Sequence, residues 1–252
     1  MTIDKRTPPS DLMKFIGRLH PVETELPLIR LGCDADGGYL VPDDLDEISA
    51  CFSPGVDNRA TFEQDLLDRG IRCHLADATV DKNPIDDERC TFRNQFVGVI
   101  NDETYVTMDR WIAETEPNAG DLLLQMDIEG DEISVLLNVS DANLTRFRVM
   151  VIEFHALMQL ANRHCLRAHS HVLDRLLQHF HVVHVHPNNY GGQVRVGGID
   201  IPRVIEVTLL RKDRATTITP ADRFPHPLDQ PNLPSIPDII LPPPWWSAPR
   251  GT

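Results

Sequence analysis

The chain has 252 residues, 41% of them hydrophobic and 25% charged, which is the composition of a globular domain and excludes a disordered chain, a collagen-like fibre and a coiled coil. A net charge of −14 sets most of the surface against a phosphate backbone and argues against nucleic acid as a partner. No apolar run approaches the ~20 residues that span a bilayer, and no apolar stretch follows the first six residues, so neither a membrane span nor a secretion signal is expected.

The five cysteines, at 33, 51, 73, 90 and 165, form no CxxC pair, so free thiols in a reduced, cytoplasmic compartment are expected. Cys51 and Cys73 lie in apolar runs and read as core residues. The chain divides into a leader (1–45), a central domain (46–212) and a proline-rich arm (213–252) that cannot be helix or central strand. Trp245 and Trp246 are too large and apolar to be left in water, so they are expected to dock on the domain or on a partner, which is compatible with a homodimer.

In chain order, residues 47–53 read as a buried strand. Pro54 and Gly55 turn the chain into a helix over 59–69, with Asp57 or Asn58 as N-cap and Gly70 as C-cap. Residues 71–77 form a second strand and 92–100 a third. Trp111 and Ile112 mark a short helix. A fourth strand covers 121–127, followed by a helix from Glu132, and a fifth covers 148–153. Leu166, Leu173, Leu176, Leu177 and Phe180 stripe a longer helix. Residues 181–186 and 204–210 are the last strands, and without room for a crossover helix they must pair antiparallel. Strands apolar throughout imply a sheet covered on both faces, with ligands at the strands' carboxyl ends.

The chemistry is therefore sought just after each apolar run. Gly55 lets a ligand approach the backbone before a helix, without a GxGxxG or P-loop pattern; an ordinary turn would look the same. Asp77, about twenty residues on, stands where an acid commonly accepts ribose hydroxyls, or where a loop acid merely caps a helix. Asp127 and Glu129 crowd the end of the fourth strand, where carboxylates repel unless a cation, a hydroxyl or a proton lies between them. Asp131 and Glu132 are explained by a helix N-terminus alone. Glu153 and His155 share one side of an extended chain and suit metal ligation or general-base work. His186 to Gly192 offers polar donors for a hydroxyl-rich pocket, or simply a turn. His164, His169 and His171 read as exposed, and no zinc pattern is present.

The series R-L-G-C-D-A-D-G-G-Y (30–39), C-F-S-P-G-V (51–56), D-A-T (77–79), M-D-I-E-G-D-E (126–132) and E-F-H (153–155) resembles FkbM-like, class I S-adenosylmethionine-dependent O-methyltransferases over about residues 28–190. The resemblance implies a Rossmann-like, seven-stranded, mostly parallel sheet with an antiparallel last strand. It implies S-adenosyl-L-methionine as cofactor, bound by Tyr39, Ser53, Gly55, Asp57, Glu63, Asp77 and Ala78, with 36–39 closing over it. It also implies Mg²⁺ or another divalent cation at Asp127, Glu153 and His155, and a sugar hydroxyl as acceptor, on a mannoside or methylated mannose oligosaccharide. In that scheme the cation acidifies the hydroxyl and His155 takes its proton. Ser-Pro-Gly-Val departs from the commoner glycine-rich first motif, and the proline arm lies outside the resemblance. A nicotinamide-dependent oxidoreductase, a non-catalytic Rossmann-like binding module and a metal-dependent hydrolase are the alternatives.

Overall fold

The computed structural model describes residues 5–246; Met1 to Asp4 and residues 247–252, with Pro249 of the arm, lie outside the described residues. At its centre stand seven strands: β1 (Ala50–Pro54), β2 (Arg72–Ala76), β3 (Cys90–Arg93), β4 (Leu122–Met126), β5 (Phe147–Phe154), β6 (Phe180–Pro187) and β7 (Ile205–Arg211). Across the sheet they run β6-β7-β5-β4-β1-β2-β3. The β5/β4, β4/β1, β1/β2 and β2/β3 pairs are parallel. Only β7 runs against its neighbours, β5 and β6. Between β6 and β7 the chain has room for a two-stranded hairpin (Gln193–Val196 with Ile199–Pro202) and no helix, so β7 returns antiparallel and slots between β5 and β6. This is a Rossmann-like, mostly parallel α/β sheet, as the alternation of apolar runs and helical patterns predicts.

The helices are α1 (Pro9–Gly17), α2 (Thr61–Asp68), α3 (Met108–Thr115), α4 (Glu132–Asn138), α5 (Asp141–Leu144) and α6 (Arg163–His179). Side chains alternate across each strand, which splits the core in two. Phe52, Leu124, Met150 and Ile152 face a layer built from α1, α3, α4 and α6. Cys51, Cys73, Leu123 and Val151 face α2 and the leader's hairpin, Leu28–Leu31 with Tyr39–Pro42. The leader is thus a wall of the domain, tied to β7 where Thr208 Oγ1 donates to Leu40 O at 2.8 Å.

Three local expectations are corrected. The helix expected from 59 begins at Thr61 with Ala60 as N-cap, because the backbone N–H groups of Val56 and Asp57 are turned to Asp77 and the loop must run on first. The third strand ends at Arg93. A tight turn follows, and Phe96–Gly98 pairs with Tyr105–Thr107 as a separate lip. His169 is buried on the inner side of α6, where its Nδ1 meets Cys165 O at 2.8 Å and its ring stands edge-on to Phe15; His164 and His171 are exposed as expected.

The arm docks on its own domain. Trp245 is fully buried in the α1 layer and its Nε1–H donates to Asp200 O at 2.9 Å. Trp246 stacks on Phe224. Docking within the chain removes the ground for a homodimer read from this tryptophan pair. No helix among the described residues is long and apolar enough to cross a membrane.

Candidate functional site

A cleft opens at the carboxyl ends of β1, β2 and β4. Its larger part, about 420 Å³, is bounded by Ala76, Asp77, Thr79, Phe96, Glu129 and Asp131 among others. The smaller part, about 170 Å³, is bounded by Tyr39, Phe62, Glu63 and Gln125. Asp36, Gly55, Asp57 and Asp127 belong to both parts. Gly55 holds φ at +80°, and a Cβ there would lie 1.5 Å from Asp127 O, so only glycine lets the β1 and β4 ends close up.

Below the smaller part lies a buried polar chain. Ser53 Oγ lies 2.5 Å from Glu63 Oε1 and 2.6 Å from Gln125 Oε1. One hydroxyl hydrogen cannot serve two acceptor oxygens. Burial raises the Glu63 pKa against the pull of the Ser53 hydrogen bond, and so favours a carboxyl that donates to Ser53 while the Ser53 hydroxyl donates to Gln125. The Gln125 amide then donates to Tyr39 Oη at 3.3 Å. Tyr39 keeps its proton, because burial and then the charges of Glu153 and Asp127 push its pKa well up. The pocket floor is therefore a hydrogen-bonded polar chain running from Glu63 through Ser53 and Gln125 to Tyr39.

Asp77 is in place at the rim, with its capacity already used. Its Oδ2 accepts from Val56 N–H (3.1 Å) and Asp57 N–H (3.4 Å), and its Oδ1 from the Thr79 N–H and hydroxyl, both at 2.7 Å. Four donors fill the lone pairs of one carboxylate. Asp77 therefore clasps the Gly55 loop, and a ribose hydroxyl would have to displace one of these bonds. Asp57, exposed at φ +43°, lines both parts of the cleft. Ala78 stands half-buried beyond Asp77 and is not among the lining residues; Ala76 is.

Beside the cleft, Asp127, Glu153 and His155 each place one ligand atom within 4.8 Å of the others. His155 Nδ1 is bonded to Glu132 Oε1 at 3.0 Å. Its Nε2 lies 3.6 Å from Asp127, 3.5 Å from Glu129 and 4.0 Å from Glu153. Burial opposes the imidazolium, but the Glu132 bond and the charges of Glu132, Asp127 and Glu129 outweigh it and raise the His155 pKa. Burial, partly offset by His155 and reinforced by Glu129, lifts Asp127 to about 7. Glu153 is pushed well up by burial, then by Asp127 and Glu206, against the hydrogen bond from Asn188. Asp127 Oδ1 and Glu153 Oε2 are buried without a hydrogen-bond partner. Buried carboxylate oxygens without donors, two acids and an imidazole within one ion's reach make a set that fits a hard divalent cation. With Nδ1 committed to Glu132, His155 has a single nitrogen, Nε2, for ligation or for proton transfer, and cannot do both at once.

Several residues of the site escape a reading by strand ends. Gln125 interrupts an otherwise apolar strand, and that interruption is itself a usable signal; Glu206 shares its strand with Thr208 and Arg211 and stands out less. Glu132, explained above as a helix-end acid, orients His155. Asn188 Nδ2 donates to Glu153 Oε1 at 2.7 Å, while the Asn189 amide reaches Leu233 O, Ile236 O and Pro237 O of the arm. The 186–192 loop is therefore scaffold for Glu153 and the arm. Compared with protein-family models and with curated proteins, the chain matches none.

Proposed function

We propose that the chain is an S-adenosylmethionine-dependent O-methyltransferase acting on a sugar hydroxyl, with a divalent cation at Asp127 and Glu153. The observation that carries this reading is the double membership of Asp127: it lines the cleft and belongs to the triad, so a ligand in the cleft lies beside one of the carboxylates that would bind the cation. The sheet order, the lone antiparallel strand and the resemblance of the D-G-G-Y and D-I-E-G-x-E segments to FkbM-like methyltransferases support it. So does the charge of the cleft, whose lining carries Asp36, Asp57, Asp127, Glu129 and Asp131 against Arg59, and suits a positively charged sulfonium.

The sulfonium already carries an activated methyl group, so the protein must align it and remove the acceptor's proton. His155 Nε2 is the proton acceptor, and Glu132 on Nδ1 fixes the tautomer and stabilises the imidazolium that forms. Asp127 and Glu153 would hold the cation, which when bound supplies positive charge for the developing alkoxide. Gly55 and the polar Ser53–Gln125–Tyr39 floor shape the cofactor's seat.

The test is a methyl-transfer assay with labelled S-adenosylmethionine against a panel of free and methylated sugars, with Mg²⁺ and with chelator. Transfer that needs the cation is expected; no transfer to any sugar would overturn the reading. Calorimetry with NADH against S-adenosylmethionine separates the nicotinamide alternative.

A further inference from the structure

The proline-rich arm lies outside the segment that resembles a methyltransferase, yet one of its residues bonds to Asp36, which lines the cleft. The loop 30–39, of which Asp36, Gly37 and Tyr39 line the cleft, is braced at one end by its own backbone and by α2. The Arg30 guanidinium donates to Cys33 O at 2.8 Å and to Ala35 O at 3.2 Å, and Gly32 N–H donates to Asp65 at 2.7 Å. Gly32 and Gly38 are packed so closely that a Cβ on either would strike loop backbone, at 2.3 Å and 1.9 Å.

At the tip of the loop, Asp36 O accepts from Cys33 Sγ at 3.0 Å within the loop, and its N–H and carboxylate are held from outside. Asp36 N–H donates to Asn232 O at 2.9 Å, and the Asn232 amide donates back to Asp36 Oδ1 at 3.1 Å. The same amide donates to Glu206 Oε1 at 2.6 Å. Asn188 adds a longer bond to Asp36 Oδ1 at 3.4 Å. Asn232 is 5% exposed, and its own Oδ1 finds no donor. Two carboxylates thus dictate which way its amide faces. The arm around it is fixed in turn: Leu233 N–H donates to Asn189 Oδ1 at 2.8 Å, and Asp238 lies 3.3 Å from His186 Nε2.

We propose that Asn232 is a positioning residue of the cofactor cleft, through which the proline-rich arm holds the Asp36 tip over the bound ligand. The proposal rests on the reading of the cleft as the seat of S-adenosylmethionine. Among the described residues Asn232 makes no hydrogen bond to Asp127, Glu153 or His155; it meets Asp36 directly and Glu153 only through the charge of Glu206, so its effect falls mainly on cofactor affinity.

The test is calorimetric titration of the full chain with S-adenosylmethionine, paired with steady-state kinetics. Asn232→Ala should raise the Kd and the KM for the cofactor about tenfold, the scale of one lost hydrogen bond to a charged group, with kcat within about twofold. Asn232→Asp, of equal size, should raise them further by setting a carboxylate against Asp36 and Glu206. Unchanged cofactor affinity in folded variants, or a fall in kcat with Kd unmoved, overturns the inference. The wild-type chain supplies a check that no misfolded variant can blur. On cofactor binding, hydrogen exchange at 36–39 and at 230–234 should slow together, and slowing at 36–39 alone also overturns it. A wild-type chain that binds no S-adenosylmethionine overturns the functional reading, and this inference with it.

Discussion

The acids beside the cleft predict a divalent-ion affinity that depends steeply on pH. Asp127 has its pKa lifted to about 7 and must lose its proton to ligate. For a single competing proton at that value, apparent affinity falls about tenfold from pH 8 to pH 6, or ~1.4 kcal/mol. Glu153 is pushed up as well, and His155 is driven toward its cation, so both add to the fall. Titration with Mn²⁺ at pH 6 and pH 8, in buffers of different ionisation enthalpy, gives affinity and protons released. At least a tenfold loss at pH 6 and net proton release at pH 7 are expected. Equal affinity at both pH values would refute the argument. The same shift has a signature without any ion. A carboxyl whose folded pKa lies above its ordinary value favours the protonated fold, so its contribution is present below the carboxylate range and is lost as pH rises through about 7. Asp127→Asn should therefore make the melting temperature less dependent on pH between 6 and 8.

Three further outcomes follow from the geometry. His155→Ala should lower kcat about 10²–10⁴-fold while cofactor affinity by calorimetry stays within about twofold; unchanged turnover would remove His155 from proton transfer. Gly55→Ala should cost more than ~3 kcal/mol in chemical denaturation, since a Cβ must find room 1.5 Å from Asp127 O at a positive φ, and a loss under ~1 kcal/mol would show that the β1–β4 junction yields freely. Asp77→Ala should destabilise by ~1–3 kcal/mol and loosen 55–57 in hydrogen exchange, because the Val56 and Asp57 N–H groups lose their acceptor. Intact exchange protection there would return Asp77 to a role in ligand binding alone.

The seven strands, the antiparallel return of β7 and the meeting of Asp127, Glu153 and His155 are legible in the sequence because each follows from local pattern. Apolar runs make buried strands, a short link between β6 and β7 forbids a crossover, and alternation sets Glu153 and His155 on one side of β5's end. Burial of Cys51 and Cys73 and docking of Trp245 follow from hydrophobicity alone. Side-chain partnerships between distant segments are a different matter. Asp77 is full of backbone donors, Glu132 orients His155, and Asn232 grips Asp36 from 196 residues away. Such bonds depend on distance and direction after folding, and neither propensity nor periodicity carries that information. His169 shows the same limit: polarity places it in water, while the packing of α6 against Phe15 places it in the core. Pattern in the chain determines which strands form and what stands at their ends; only the packed fold decides which of those end groups still have a lone pair or a proton to offer, because that depends on neighbours supplied by the leader and the arm.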